Sequence, residues 1–208
     1  MVQKMNKTII VGLTGTSGAG KTTVCEILRQ HGCMIINSDN AAREITEIGS
    51  PCLDELRLAF GDEIINSDGS LNRRLLGEIA FSSDELTARL NAITHPHIMK
   101  RIKCIINEYK QSGAKIITLD APQLFEANAD KLCDCVVAVI ADRRLAKDRI
   151  ISRDHIDEDN AENRLSRSHD DRFFTERADY IIRNDCDLVT LKINVAATIA
   201  KIKSDFNI

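Results

Sequence analysis

The chain has 208 residues, with 28 lysines and arginines against 31 aspartates and glutamates, for a formal net charge of −3. That length suits one domain, and 43% hydrophobic residues supply a core that needs no staples. A slightly acidic chain is a poor general binder of nucleic acid or of an anionic membrane, so any anion site must be local. The seven cysteines, Cys25, Cys33, Cys52, Cys104, Cys133, Cys135 and Cys186, are odd in number and show no C-x-x-C or Cys/His ligand spacing. Buried, reduced thiols in a cytoplasmic protein are expected. The longest N-terminal apolar run, Ile9–Leu13, is too short for a signal peptide or a transmembrane helix.

Short apolar runs alternate with longer helical stretches. Ile9 to Thr14 reads as a buried strand, followed by a glycine-rich turn and a helix from about Gly20 to Gln30. Cys33 to Asn37 is a second strand, leading to Asp39. From Ala41 to Gly113 no convincing strand occurs. Ser50-Pro51 has the form of an N-cap followed by proline at the first helical position. Asn66-Ser67-Asp68-Gly69 is a turn cluster, and helical spacing recurs through Leu71-Leu75-Ile79 and Ile98-Ile102-Ile105. His95-Pro96 is read as the start of a helix. Lys115 to Leu119 is a third strand, ending at Asp120; Cys135 to Ile140 is a fourth; Tyr180 to Ile182 is a fifth, with a last helix from about Asp187. Between the last two strands, Arg143 to Glu176 is helical and rich in arginine. Runs apolar on both faces, separated by helices, predict a parallel sheet in a layered α/β fold. The seventy residues after the second strand exceed one crossover and read as a helical insertion.

Gly15-Thr16-Ser17-Gly18-Ala19-Gly20-Lys21-Thr22 satisfies G-x-x-x-x-G-K-[ST] between a strand and a helix. Glycines let such a loop wrap phosphates with its backbone N–H groups, and the helix start adds a positive dipole end. Lys21 reaches the β- and γ-phosphates, and the Thr22 hydroxyl suits Mg²⁺. ATP with Mg²⁺ is the expected ligand. The guanine-reading N-K-x-D motif is absent, and the arginine-rich segment fits a lid closing over a transferred phosphoryl group; the alternative for each arginine is a solvated helix face.

Asp39 ends the second strand, expected beside the first, where ligands gather at strand carboxyl ends. It reads equally as a general base or as a helix N-cap. Asp120 reads as a Mg²⁺-holding acid or as a strand-end cap.

The phosphate loop, Asn37-Ser38-Asp39 with Ala42-Arg43, Gly49-Ser50-Pro51, Asp68-Gly69-Ser70-Leu71 with Arg73, His95-Pro96, Pro122-Gln123-Leu124-Phe125-Glu126, Arg149-x-x-x-Arg153-Asp154 and Ala178-Asp179…Asn184 occur in this order. The set resembles the dephospho-CoA kinase family, from about Ile10 to Asn184. The resemblance implies a P-loop NTPase three-layer α/β fold with a five-stranded parallel sheet. One kinase domain follows: a core over about 8–40 and 114–208, a helical CoA-binding region over about 41–113 and a lid over about 143–176. It also implies transfer of phosphate from ATP to dephospho-CoA, giving CoA and ADP. Under it, Asp39 is the base, Arg149 and Arg153 are lid residues, and Asn184 contacts adenine. Gly15 to Thr22 with Thr23 bind ATP, and Asp39, Arg43, Arg73 and His95 bind the acceptor. The partner is a small molecule, with neither nucleic acid nor membrane. Five positions depart from the family pattern: Asn37 for a frequent aspartate, Gln123 for leucine, Thr16 and Ala19 where glycine and serine are frequent in the loop, and Ser168 near a lid glutamine. A kinase for another hydroxyl acceptor and an ATP-dependent switch without turnover are the competing readings.

Overall fold

The computed structural model describes residues 7–208. The chain divides into two compact units: one runs up to Ile36 and resumes over Glu108–Ile208, and the other is Asn37–Asn107.

The first unit is built on a sheet of β1 (Ile9–Gly15), β2 (Met34–Asn37), β3 (Ile116–Asp120), β4 (Cys135–Ile140) and β5 (Tyr180–Arg183), in the order β2-β3-β1-β4-β5. β1 runs parallel to both its neighbours, with Leu13 opposite Asp120 on one side and Gly15 opposite Val139 on the other. β4 runs parallel to β5. Every residue of β1 and β4 is buried, the pattern of central strands covered on both faces. On one face, Ile9, Val11 and Leu13 of β1 pack with Val137 and Val139 of β4. They meet Val24 and Leu28 of α1 (Lys21–Gln30) and Val195 and Ile199 of the C-terminal helix, which runs Leu188–Phe206. On the other face, Ala138 and Ile140 pack against Phe174.

The strand order corrects one expectation. β2 does not lie beside β1; β3 occupies that place. The connection through α1 carries the chain over a gap one strand wide, and the apolar run of β3 fills it. The acid at the end of the strand adjoining the phosphate loop is therefore Asp120, opposite Leu13.

The second unit holds α2 (Ser38–Glu44), α3 (Pro51–Phe60), α4 (Arg73–Ala80) and most of α5 (Asp84–Gln111). Ser50 caps α3, its hydroxyl accepting from Leu53 N at 3.2 Å, with Pro51 first in the helix. The turn at Asn66–Gly69 reverses the chain between Ile65 and Leu71, which pair as an isolated antiparallel bridge. Leu53, Leu56, Phe60, Ile64, Leu76 and Ala80 form this unit's core. His95-Pro96 does not start a helix; Pro96 lies inside α5. An interior proline removes one N–H and crowds the preceding turn, at roughly 3 kcal/mol. Burial around it offsets that cost, with Leu86, Leu90 and Ile93 packed on the core before it and Ile102 and Ile106 buried after it.

The arginine-rich segment is three helices: α6 (Arg143–Asp154), α7 (Glu158–Ser166) and α8 (Asp171–Thr175). α6 ends at His155, whose left-handed φ of 52° breaks the helix. The C-terminal helix is α9. Among the described residues no helix is long and apolar enough to cross a membrane.

Leu56 is fully buried while Leu58, two residues on, is 87% exposed. Leu56→Ala should lower the unfolding free energy by about 2–5 kcal/mol, and Leu58→Ala by no more than about 0.5 kcal/mol, in urea titrations.

Candidate active site

The phosphate loop leaves β1 at Gly15, where φ is 139° and a Cβ would lie 1.9 Å from the Val139 carbonyl oxygen. No side chain larger than hydrogen fits. Thr16 N donates to that same carbonyl at 3.1 Å, so the loop starts from a fixed point on β4. Lys21 Nζ donates back to the carbonyls of Gly15 at 2.9 Å and Thr16 at 3.2 Å, so its ammonium sits over the mouth of the loop. The N-cap of α1 is Gly20, and no side chain caps the helix. Its first N–H groups are thus left for a ligand, as at other phosphate-binding helix starts. Thr16 Oγ1 is buried with no hydrogen-bond partner. A hydroxyl orphaned beside uncapped amides and a lysine suits oxygen-rich, anionic phosphates. Thr22 is exposed on the first turn of α1, with Thr23 half-buried beside it.

Asp120 ends β3 next to β1. One turn after Lys21, Cys25 carries a buried thiol near Asp120. Burial first, and then the charge of Asp120, push that thiol up to about 12. Cys25 is therefore a neutral neighbour of the acid and no nucleophile.

A pocket of about 270 Å³ opens on the loop, lined by Thr16, Ser17, Arg143, Ser168, His169 and Asp170 among others. Ion pairs staple its roof. Arg143 pairs with Glu162 and Lys147 Nζ with Glu158 at 2.5 Å, joining α6 to α7. Arg153 grips Asp154 with two bonds of 2.7 and 2.8 Å, and Arg164 of α7 pairs with the same carboxylate. The hydrogen bond from Arg153 first, and then the charges of both arginines, hold the Asp154 carboxyl below the usual range. Arg149 points elsewhere: its Nη2 donates to the Asn184 carbonyl at 3.0 Å, and its Nη1 is buried with no hydrogen-bond partner. Arg149 and Arg153 therefore do not act as a pair in this arrangement.

Sequence reasoning counted Arg164 only as one of the arginines of the lid segment, and it passed over His169. The His169 ring stacks on Phe173 at 3.7 Å, and its Nε2 lies 3.1 Å from Glu126 Oε1. Phe125 meets Phe173 edge-on at 5.9 Å, and Thr14 Oγ1 donates to the Pro122 carbonyl at 3.1 Å. The segment Pro122–Glu126 thus ties β1 to α8. His169 and Phe173 are one helical turn apart, but their contacts with Glu126 and Phe125 span 43 and 48 residues of chain and leave no periodic signal.

In the second unit, α2 carries Asp39 and Arg43, both exposed. The cap of α2 is Asn37, whose Oδ1 accepts from Asn40 N at 2.9 Å. Asp39 is the second residue of the helix, so the cap reading of Asp39 is displaced to Asn37. Arg73 is exposed, and its Nη2 donates to Thr46 Oγ1 at 2.6 Å and to the Arg43 carbonyl at 3.1 Å, closing the C-terminal end of α2. Arg101 Nε donates to Glu44 Oε2 at 2.5 Å. His95 is half-buried on α5; His97, one turn-half away, has Nε2 3.1 Å from Glu55 Oε1.

The dephospho-CoA kinase family model matches residues 9–190. The chain belongs to the dephospho-CoA kinase family. It is 38% identical to the dephospho-CoA kinase of Corynebacterium glutamicum, over 95% of this chain and 98% of that one. It is 36% identical to a dephospho-CoA kinase of Saccharomyces cerevisiae, over 94% of this chain and 83% of the relative. The structure of a dephospho-CoA kinase from Campylobacter jejuni shares its fold, with a TM-score of 0.71 at 24% identity, over 96% of this chain and 98% of that one.

Within the dephospho-CoA kinase pattern, the departures outside the phosphate loop now have places. Asn37 is a helix cap, a role asparagine and aspartate fill about equally. Gln123 is exposed, while the next residue, Leu124, is fully buried. Ser168 lines the pocket beside His169. Asn37→Ala should cost about 1 kcal/mol of stability, Asn37→Asp close to nothing, and Asp39→Asn close to nothing, measured by thermal melting.

Proposed function

We propose that the protein transfers the γ-phosphoryl group of ATP to the ribose 3'-hydroxyl of dephospho-CoA, giving CoA and ADP, the last step of coenzyme A synthesis. The observation that carries the reading is the match to the dephospho-CoA kinase family from the phosphate loop to beyond β5, on a loop whose orphaned donors fit a triphosphate.

Gly15 to Thr23 hold the ATP phosphates. Lys21 neutralises charge that grows on the β–γ bridging oxygen as its bond to the γ-phosphorus breaks. Thr22 and Asp120 are the residues that would hold Mg²⁺, which when bound offsets charge on the β- and γ-oxygens. Asp39 takes the proton of the 3'-hydroxyl as the new oxygen–phosphorus bond forms. Its position on the first turn of α2, exposed and free of the capping role, supports this assignment. Arg43, Arg73 and His95 belong to the acceptor side, with Arg73 also closing α2. Arg153 and Arg164 exchange Asp154 for transferred phosphate oxygens when the lid closes. That exchange swaps one charge-assisted partner for another, so it costs little.

ADP release should require dephospho-CoA and should not be matched by nucleosides, nucleotides or sugars in an acceptor panel. A preference for another acceptor contradicts the substrate, and no acceptor-dependent turnover supports a switch. Lys21→Ala should lower turnover at least about a hundredfold with an unchanged melting temperature. Asp39→Asn should lower it by roughly two to four orders of magnitude.

The lid has a hinge. α6 leans on the loop, since the Ala146 carbonyl oxygen sits 2.5 Å from where a Cβ on Gly18 would be, and His155 breaks the chain after it. Hydrogen exchange should slow over 157–176 when ATP and dephospho-CoA bind together and hardly change over 143–154. Equal slowing in both would place the hinge before α6.

A further inference from the structure

The residue after β5, Asn184, is 7% exposed. Its Nδ2 donates to the Ala19 carbonyl in the middle of the phosphate loop at 2.8 Å. The approach is close: a Cβ on Gly20 would lie 2.5 Å from that Nδ2. Asn184 is itself held at both ends of its backbone. Its N–H donates to the Ile140 carbonyl at 2.9 Å, and its carbonyl accepts from Arg149 Nη2 at 3.0 Å.

A planar trans peptide has its carbonyl and its N–H on opposite sides. Pinning the Ala19 carbonyl therefore aims the Gly20 N–H the other way. Gly20 has φ of 89°, a conformation glycine enters and leaves with little resistance, so that peptide can turn over unless one end is held. The Asn184 amide holds that end.

We propose that Asn184 is a positioning residue that fixes the Ala19–Gly20 peptide of the phosphate loop, so that it acts on the triphosphate through the loop and not by contact with the base. Arg149 positions Asn184 in turn, which gives a lid-base arginine a role in nucleotide affinity without touching the phosphates. This inference rests on the ATP-site reading of the loop and changes the part Asn184 plays in it.

The test compares ATP with tripolyphosphate, which has the phosphates and no base. Affinities for both are measured by calorimetry on the full chain, for the wild type, Asn184→Ala and Asn184→Asp. The alanine removes the donor, and the aspartate puts an acceptor against the Ala19 carbonyl. Both ligands should weaken by the same factor, about tenfold for alanine and more for aspartate. Weakening of ATP with tripolyphosphate unchanged would show a base contact and overturn the proposal, as would unchanged affinity for both. If the aspartate variant does not fold, the smaller alanine carries the comparison alone. A wild-type protein that binds neither ligand contradicts the ATP site itself, a different outcome from either.

Discussion

The nucleotide half of the molecule depends on one steric fact, that Gly15 lies against the Val139 carbonyl with room for no side chain. That contact sets where the phosphate loop starts. Thr16 N bonds to the same oxygen, Lys21 folds back over Gly15 and Thr16, and α1 begins uncapped at Gly20. The loop needs β4 as well as β1, and the register of Gly15 opposite Val139 supplies it. A phosphate site of this kind is built by the sheet first and by charged side chains second.

Charge in the lid is stored in pairs. The chain is nearly neutral overall, and the arginines of α6 and α7 that were candidates for phosphate contact sit on carboxylates: Arg143 on Glu162, and Arg153 with Arg164 on Asp154. Such exposed pairs add little stability, which makes them easy to exchange. Ala146, Ile150, Ala161 and Leu165 give α6 and α7 a small shared core in this arrangement.

The strands and the loop were legible in sequence because each rests on local pattern: apolar runs on both faces, and a glycine spacing between strand and helix. What escaped was decided by distance in the chain. The order of the sheet follows from which strand fills the gap beside β1, and residues 34–37 and 116–120 compete for it with similar apolar runs. Asp39 and Asn37 are two residues apart and both can cap; only the Asn40 N–H, bonded to Asn37, separates them. Pro96 reads as a helix start by local rule, and burial at Ile102 and Ile106 overrides it. Arg73 has no local signature of its bonds to Thr46 and to the Arg43 carbonyl, 30 residues earlier. Asn184 was picked out by resemblance alone; the contact with Ala19 spans 165 residues.

The central claim is the site of phosphoryl transfer, and the most direct measurement is phosphorus NMR of the product formed from ATP and dephospho-CoA. One new phosphomonoester resonance coupled to the ribose H3' proton, appearing in step with ADP, is the result predicted. ADP accompanied only by free inorganic phosphate, or a monoester coupled to a different proton, would contradict it.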